Sequence, residues 1–297
     1  MRAGLSEATL HWVRAETGAD AVVDSQLLVG GITSDIRVLT LRGRANLDEV
    51  VLRRMTVQPW RRHAAGLLKR EADTLMFLAT TPIPAPLLLA VDPSGGRAGE
   101  PSLLMTRLPG RPCMTGTDLD ALAAMLVTIH SAHPAQRPRT FQMWTGPDRW
   151  VLPAWAQNPA LFQAAFARIA QPAPPGRHCF MHRDYQPGNV LFAADELCGV
   201  VDWVETSWGP PDLDVAHCQT NLALLDGVDT ASRWRGCYLR TGGALCDDPD
   251  YWALVDAVSM LPDPAKLLAA WRAAGRADLS VEIIRERYEQ YLAALLA

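Results

Sequence analysis

Asp184, Asn189 and Asp202 carry the oxygens with which this sequence could do chemistry, and they stand where apolar residues are the rule. The stretch FMHRDYQPGNVLFAADELCGVVDW (residues 180–203) places His182, Arg183 and Asp184 directly after Phe180 and Met181, then returns to Val190-Leu191-Phe192. Buried runs exclude charged groups unless those groups are paired or used. Val190-Leu191-Phe192 and Gly199-Val200-Val201 read as strands with the turn-like Ala194-Asp195-Glu196 between them, so the pattern predicts a hairpin. A hairpin brings its open ends together, which sets Asn189 beside Asp202. Asn and Asp oxygens at one spot suit a hard cation, Mg²⁺ above all. Asp184 lies on the loop feeding the same hairpin, where a carboxylate can accept a proton from a hydroxyl attacking a metal-bound phosphate. The structural alternative is a buried His-Asp pair that only satisfies loop backbone.

The elements that must carry these residues can be read in the same way. Up to about residue 108 the pattern is strands around one helix. Residues 25–29, 35–41, 50–55, 87–91 and 102–106 read as strands, and 60–79 as a helix with Leu67, Leu68, Leu75 and Leu78 on one side. After Leu108-Pro109-Gly110 the character changes. Residues 118–132 read as a helix capped by Thr117 or Asp118, 159–170 as another, and helices dominate from 213 to the end. The expected fold class is α+β, with a small β-rich part over 1–108 and a larger α-rich part over 109–297, joined near 106–112.

Composition narrows the function classes. Hydrophobic residues at 49% and charged residues at 20% describe a globular chain rather than a disordered one. A net charge of -4 sets up no demand for nucleic acid. Apolar stretches break well before the roughly 20 residues a membrane helix needs, and the N-terminal segment lacks the unbroken apolar core of a signal peptide. The expectation is a cytoplasmic protein with no membrane or nucleic-acid partner; its oligomeric state is not encoded in any pattern seen here. The six cysteines form no C-x-x-C pair or tight cluster, so neither a disulfide framework nor a zinc site is expected.

The run H-R-D-Y-Q-P-G-N (182–189) fits the H-R-D-x-x-x-x-N catalytic loop of the protein-kinase fold, with Asp202 in the place of the metal-binding Asp. Together with Trp203, G-P-P-D-L-D-V-A-H (209–217) and L-A-A-M-L-V-T-I-H (122–130), it resembles the aminoglycoside phosphotransferase and choline kinase-like family of small-molecule kinases. The resemblance spans roughly residues 25–220. It implies a two-lobe protein-kinase-like fold with a nucleotide-binding first lobe and a catalytic, substrate-binding second lobe. It also implies Mg²⁺ and ATP as phosphoryl donor, with GTP as the other candidate.

Carried over by motif, Asp184 positions the acceptor hydroxyl and takes its proton, Asn189 and Asp202 hold Mg²⁺, His182 braces the loop, and Asp214 hydrogen-bonds that loop from the following helix. The resemblance further implies a strand cation on the α/β-phosphates, fixed by a helix Glu. Lysine occurs only at Lys69 and Lys266, so the cation is arginine. Arg53 and Arg54 point to opposite faces of a strand, and the family pattern selects Arg53 with Glu71. Backbone of Gly30, Gly31 and on to Ser34 is the candidate phosphate cradle. L-M-T-R-L-P-G (104–110) resembles the family's connector, with Thr106 and Leu108 backbone at the adenine edge and Met105 behind it. Two positions depart from the family, Gln186 where His is usual and Arg183 where Gly is common.

The acceptor must be read from the α-rich part. Nine acids between Asp202 and Asp250 raise the expectation of an acidic mouth for a cationic acceptor such as an aminoglycoside. Eight tryptophans raise that of an aromatic cage for a choline-like amine. Neutral sugars and macrolides need neither. A non-catalytic nucleotide-binding protein of the same fold and a metal-dependent hydrolase are the readings from other classes.

Overall fold

The computed structural model describes residues 4–28, 33–43 and 47–297. Its contacts divide the chain into two compact units, Met1–Gly110 with Cys198–Glu205, and Arg111–Leu197 with Thr206–Ala297. A short segment after the catalytic-loop motif therefore packs with the N-terminal unit.

The first unit opens with α1 (Glu7–Thr17), a helix that the strand pattern above does not include. Its signals are nonetheless local. The Ser6 side chain accepts the Thr9 amide at the start, and Gly18, at φ 70°, closes the end in the left-handed conformation that glycine adopts without strain. Leu10, Val13 and Thr17 bury one stripe. Then follow β1 (Ala21–Leu27), β2 (Asp35–Arg42), β3 (Glu49–Arg54), α2 (Ala64–Leu78), β4 (Leu88–Asp92) and β5 (Ser102–Thr106). A turn of 3-10 helix over Trp60–His63 precedes α2, so the regular helix starts later than the apolar spacing suggests. The strands form one sheet in the order β1-β2-β3-β5-β4, antiparallel throughout. Leu39, Leu41, Val50, Leu52 and Leu104 meet Leu10, Trp12 and Val13 of α1 in the unit's core. Strand alternation turns Arg53 away from Leu52, and the same spacing that buries Leu67, Leu68, Leu75 and Leu78 of α2 buries Glu71 among them.

The second unit contains β6 (Arg111–Pro112), α3 (Leu119–His130), α4 (Pro159–Ile169), β7 (Cys179–Met181) and β8 (Val190–Ala193). The chain leaves β8 through Ala194 and Asp195, both at positive φ as in a two-residue hairpin turn, and enters β9 (Glu196–Val200), within which it passes into the first unit. It returns at β10 (Ser207–Gly209) and continues as α5 (Asp212–Asp226), α6 (Val228–Arg240), α7 (Pro249–Ser259), α8 (Leu268–Ala273) and α9 (Val281–Leu296). The side chain of Asp118 caps α3, accepting from the Asp120 and Ala121 amides. β7 pairs with β10 and β6 with β8. Phe162, Trp252, Leu254, Ile284, Tyr288 and Tyr291 dominate the core of the unit. Helix α5 is buried from Asp212 to Leu225, so its polar residues Asp214, His217, Gln219, Thr220 and Asn221 lie inside the protein. Buried polar groups of this kind must find partners, and the partners of two of them define the site.

Candidate active site

In the second unit the short strand β7 delivers His182, Arg183 and Asp184, and a single 3-10 turn over Pro187–Asn189 leads into β8. Arg183 adopts φ 74°, a left-handed conformation that strains a residue with a Cβ. That conformation gives a physical reason why glycine suits this place and Arg183 is a departure. The loop is held in it by Asp214 of α5, whose Oδ2 accepts the His182 amide at 2.8 Å and whose Oδ1 accepts the Arg183 amide at 2.6 Å. His130, at the end of α3, joins its Nε2 to the same Asp214 Oδ2 at 3.1 Å and its Nδ1 to the Tyr238 hydroxyl at 2.8 Å. Burial pushes the Asp214 carboxyl up, but His130, His182 and the Arg183 amide outweigh it and hold its pKa below the ordinary value. His182 is buried, and its Nδ1 accepts the Asp184 amide at 3.2 Å.

The Asp184 carboxylate is gripped on both oxygens. Oδ1 receives His217 Nε2 at 2.8 Å and a long contact from Gln186 Nε2 at 3.4 Å. Oδ2 receives Asn189 Nδ2 at 3.0 Å, and the same Asn189 amine reaches the Asp184 carbonyl at 2.8 Å. Here too burial works to raise the pKa, and His217 first, then His182 and Asn189, hold it below the usual carboxylate value. The group is an ionised acceptor at neutral pH. His217 itself bonds Asp256 Oδ1 through Nδ1 at 3.0 Å. Burial alone would lower its pKa, but Asp256 and Asp184 together push it up to about 10.

His217 and Asp256 are absent from the sequence-based set of site residues. A signal for the first existed, because His217 follows Asp214 by three positions on one helix and so shares its face. Asp256 stands on α7 with no motif around it.

In the first unit Arg53 and Glu71 come together, Nε to Oε2 at 3.3 Å, and Arg53 NH2 bonds Asp202 Oδ1 at 2.9 Å. Asp202 sits at φ 67°, a second strained non-glycine position at a motif residue. Burial pushes Glu71 up to about 7, with the Arg53 charge pulling down and Asp202 pushing up. Arg54 points the other way, to Asp35 at 2.7 Å and the Gly4 carbonyl at 2.9 Å. Of the two arginines, only Arg53 meets Glu71 and Asp202.

Met105 is buried beside Val51 and Leu88 in the sheet. The Thr106 amide donates to the Leu87 carbonyl at 2.9 Å, so this N–H is already engaged in strand pairing. Thr106 and Leu108 line an open cleft of about 540 Å³ with Leu47, Glu49 and Gly110. Gly30 and Gly31 lie outside the described residues, and Ser34 is buried.

Each unit offers oxygens of the kind Mg²⁺ prefers. In the second, with both Asn189 contacts made by Nδ2, its Oδ1 is left; in the first, Asp202 retains Oδ2 beside the oxygen that meets Arg53. All these donors are oxygens, the preference of a hard cation. Among the described residues no three His, Cys, Asp or Glu side chains gather as metal ligands.

Two groups of residues bear on the acceptor. Of the nine acids, Asp212 is buried on the Cys246 amide, Asp226 pairs with Arg276, Asp248 with Arg168 and Asp250 with Arg235. Three of the nine are thus engaged in ion pairs with the protein's own arginines. The tryptophans are likewise in use. Trp203, Trp234, Trp252 and Trp271 are buried, and Trp150 stacks on Phe166. The Trp144 face carries Arg183 at 3.8 Å, Trp208 carries Arg137 at 4.6 Å and Trp155 carries Arg285 at 5.2 Å. In these three the protein's own arginine already makes the cation–π contact that a quaternary ammonium would seek.

Residues 27–255 match the model of the phosphotransferase enzyme family, and the chain belongs to that family. No curated protein matches the chain. The fold resembles a thermostable mutant of aminoglycoside phosphotransferase APH(4)-Ia, solved as a ternary complex with AMP-PNP and hygromycin B, at a TM-score of 0.64 and 16% identity over 97% of this chain and 99% of that one. It resembles macrolide 2'-phosphotransferase MphH from Brachybacterium faecium at 0.58 and 16%, over 88% and 94%. Aminoglycoside phosphotransferase APH(3'')-Id from Streptomyces rimosus is similar at 0.56 and 18%, over 83% and 96%. Mixed α+β architecture of the protein-kinase type is common to all three. No helix among the described residues is long and apolar enough to cross a membrane.

Proposed function

We propose that this phosphotransferase moves the γ-phosphoryl group of ATP to a hydroxyl of a small molecule in the cytoplasm, with Mg²⁺. The observation that carries the reading is Asp184, an ionised carboxylate fixed on both oxygens at the end of β7. In the reaction the acceptor oxygen attacks the γ-phosphorus, the bond to the β-phosphate oxygen breaks, and the hydroxyl proton passes to Asp184 while ADP leaves. Asn189 and Asp202 are the Mg²⁺ ligands, and the ion, when bound, neutralises phosphate charge. Arg53, steadied by Glu71, grips the α/β-phosphates as a planar fork rather than as the point charge a lysine presents. Thr106, through its carbonyl, and Leu108 meet the adenine edge, with Met105 behind. In this reading Met1–Gly110 with Cys198–Glu205 is the nucleotide-binding lobe and the other unit the catalytic one.

Hygromycin B in the APH(4)-Ia complex supports an acceptor of antibiotic size. The internal pairing of the acids and the arginine-covered indoles support hydroxyl recognition without a concentrated negative field or an aromatic cage. The test is ADP release from Mg-ATP and Mg-GTP with hygromycin B, a macrolide, choline and glucose as acceptors. Acceptor-dependent release with Mg²⁺ is expected. Release that requires Zn²⁺ instead would contradict the oxygen-ligand assignment, and absence of Mg-ATP binding would sink the reading.

A further inference from the structure

Asp184 does not choose its own orientation. Helix α5 presents Asp214 and His217 on one face; Asp214 fixes the main chain of His182 and Arg183, and His217 fixes the side chain of Asp184. The imidazole is itself held by its neighbours. Nδ1 is tied to Asp256, a residue 1% exposed on α7. The edge of Trp144 packs against the ring at 5.0 Å, with Arg183 stacked on the Trp144 face. Asn221, one turn further along α5, bonds the His217 carbonyl at 2.9 Å. A carboxylate offers about four lone-pair positions. His217 and Gln186 meet those of Oδ1, and Asn189 meets one of Oδ2. The direction left for a further donor is on Oδ2.

We propose that His217, clamped between Asp256 and Asp184, is a positioning residue for phosphoryl transfer, fixing the Asp184 carboxylate so that Oδ2 faces the acceptor hydroxyl. The proposal rests on the reading of Asp184 as proton acceptor. It assigns Asp256 the task of orienting the imidazole, in the way a buried carboxylate orients a catalytic histidine. It differs from a purely structural role, in which the ion pairs merely fasten α5 to α7 and the rate is indifferent to them.

The test compares His217→Gln, which keeps an N–H donor, with His217→Leu, which has none. ADP release from Mg-ATP is measured with hygromycin B, a macrolide, choline, glucose or water as acceptor, beside the unfolding midpoint of each variant. His217→Leu is expected to lose about 100-fold in kcat, the scale of a small misplacement of a reacting group. Its KM for Mg-ATP is expected to stay within about twofold, since the nucleotide contacts are untouched, and His217→Gln to recover to within about tenfold of the wild type. Equal losses in the two variants, or a wild-type rate in His217→Leu, would overturn the proposal. Asp184→Asn runs in parallel. A wild-type rate there removes Asp184 as proton acceptor, whereas its loss beside an unaffected His217→Leu removes His217 alone. Should His217→Leu fail to fold, imidazole NMR of the intact protein decides. A hydrogen-bonded Nε2 proton on His217 that moves in Asp184→Asn supports the clamp, and one that does not move refutes it.

Discussion

At the scale of single residues, the charged interruption in residues 180–203 resolves into two kinds of work. Asp214, braced by His130, and His182 hold backbone, while His217, Asn189 and Gln186 hold the Asp184 carboxylate. The His217 cation has a consequence for stability. Its folded pKa, about 10, lies above the ordinary 6.5, so its contribution is fully present below about pH 6.5 and fades as pH rises through 10. Wild-type stability is therefore expected to fall between pH 7 and 10, and His217→Gln, which cannot titrate, to lack that slope. Denaturant midpoints across this range check it; parallel curves for the two proteins would refute the assignment. Legibility in the sequence followed locality. Asp184, Asn189 and Asp202 were visible because a motif of a few residues places them. The choice of Arg53 over Arg54 needed the family pattern, since alternation says only that the two face apart. Asp256, 39 residues from its partner His217, was invisible. The ion pairs that engage Asp226, Asp248 and Asp250 were invisible for the same reason.

At the scale of elements, periodicity and caps found most of what positions the site. The α2 spacing carries Glu71 on the buried stripe, and the Asp118 cap starts the helix that ends in His130. Replacing that cap, Asp118→Ala, is expected to cost about 1 kcal/mol in stability, read from a denaturant midpoint, while Mg-ATP affinity stays unchanged. A loss of nucleotide binding at equal stability would mean that Asp118 does more than cap. Helix α1 escaped the strand-based reading because only Leu10, Trp12 and Val13 supply its apolar face, although Ser6 and Gly18 mark both ends. Burial on all sides, as in α5, is another property that periodicity cannot report. Its polar residues look like a surface pattern until the elements packed on them are known.

At the scale of the whole molecule, the proposed site residues fall in two units. Arg53, Glu71 and Asp202 belong to one, and Asp184, Asn189, Asp214 and His217 to the other. Asp202 reaches the first unit because Cys198–Glu205 packs there, with the Val200 amide on the Pro84 carbonyl and Arg70 on the Val204 carbonyl. A linear division near residue 108 does not contain that excursion. The family model runs across both units. Removing Asp202, as Asp202→Asn, is expected to raise the Mg²⁺ concentration needed for half-maximal turnover; an unchanged requirement would take the metal away from this residue.

The most direct test of the central claim follows the phosphoryl group itself. Radiolabelled ATP is incubated with Mg²⁺, the acceptor series and either the wild-type protein or Asp184→Asn, and label is sought on the acceptor. The account predicts label on a hydroxyl compound with the wild type, about 10²- to 10⁴-fold slower labelling with Asp184→Asn, and equal Mg-ATP binding by both. Labelling that is undiminished in Asp184→Asn would contradict it.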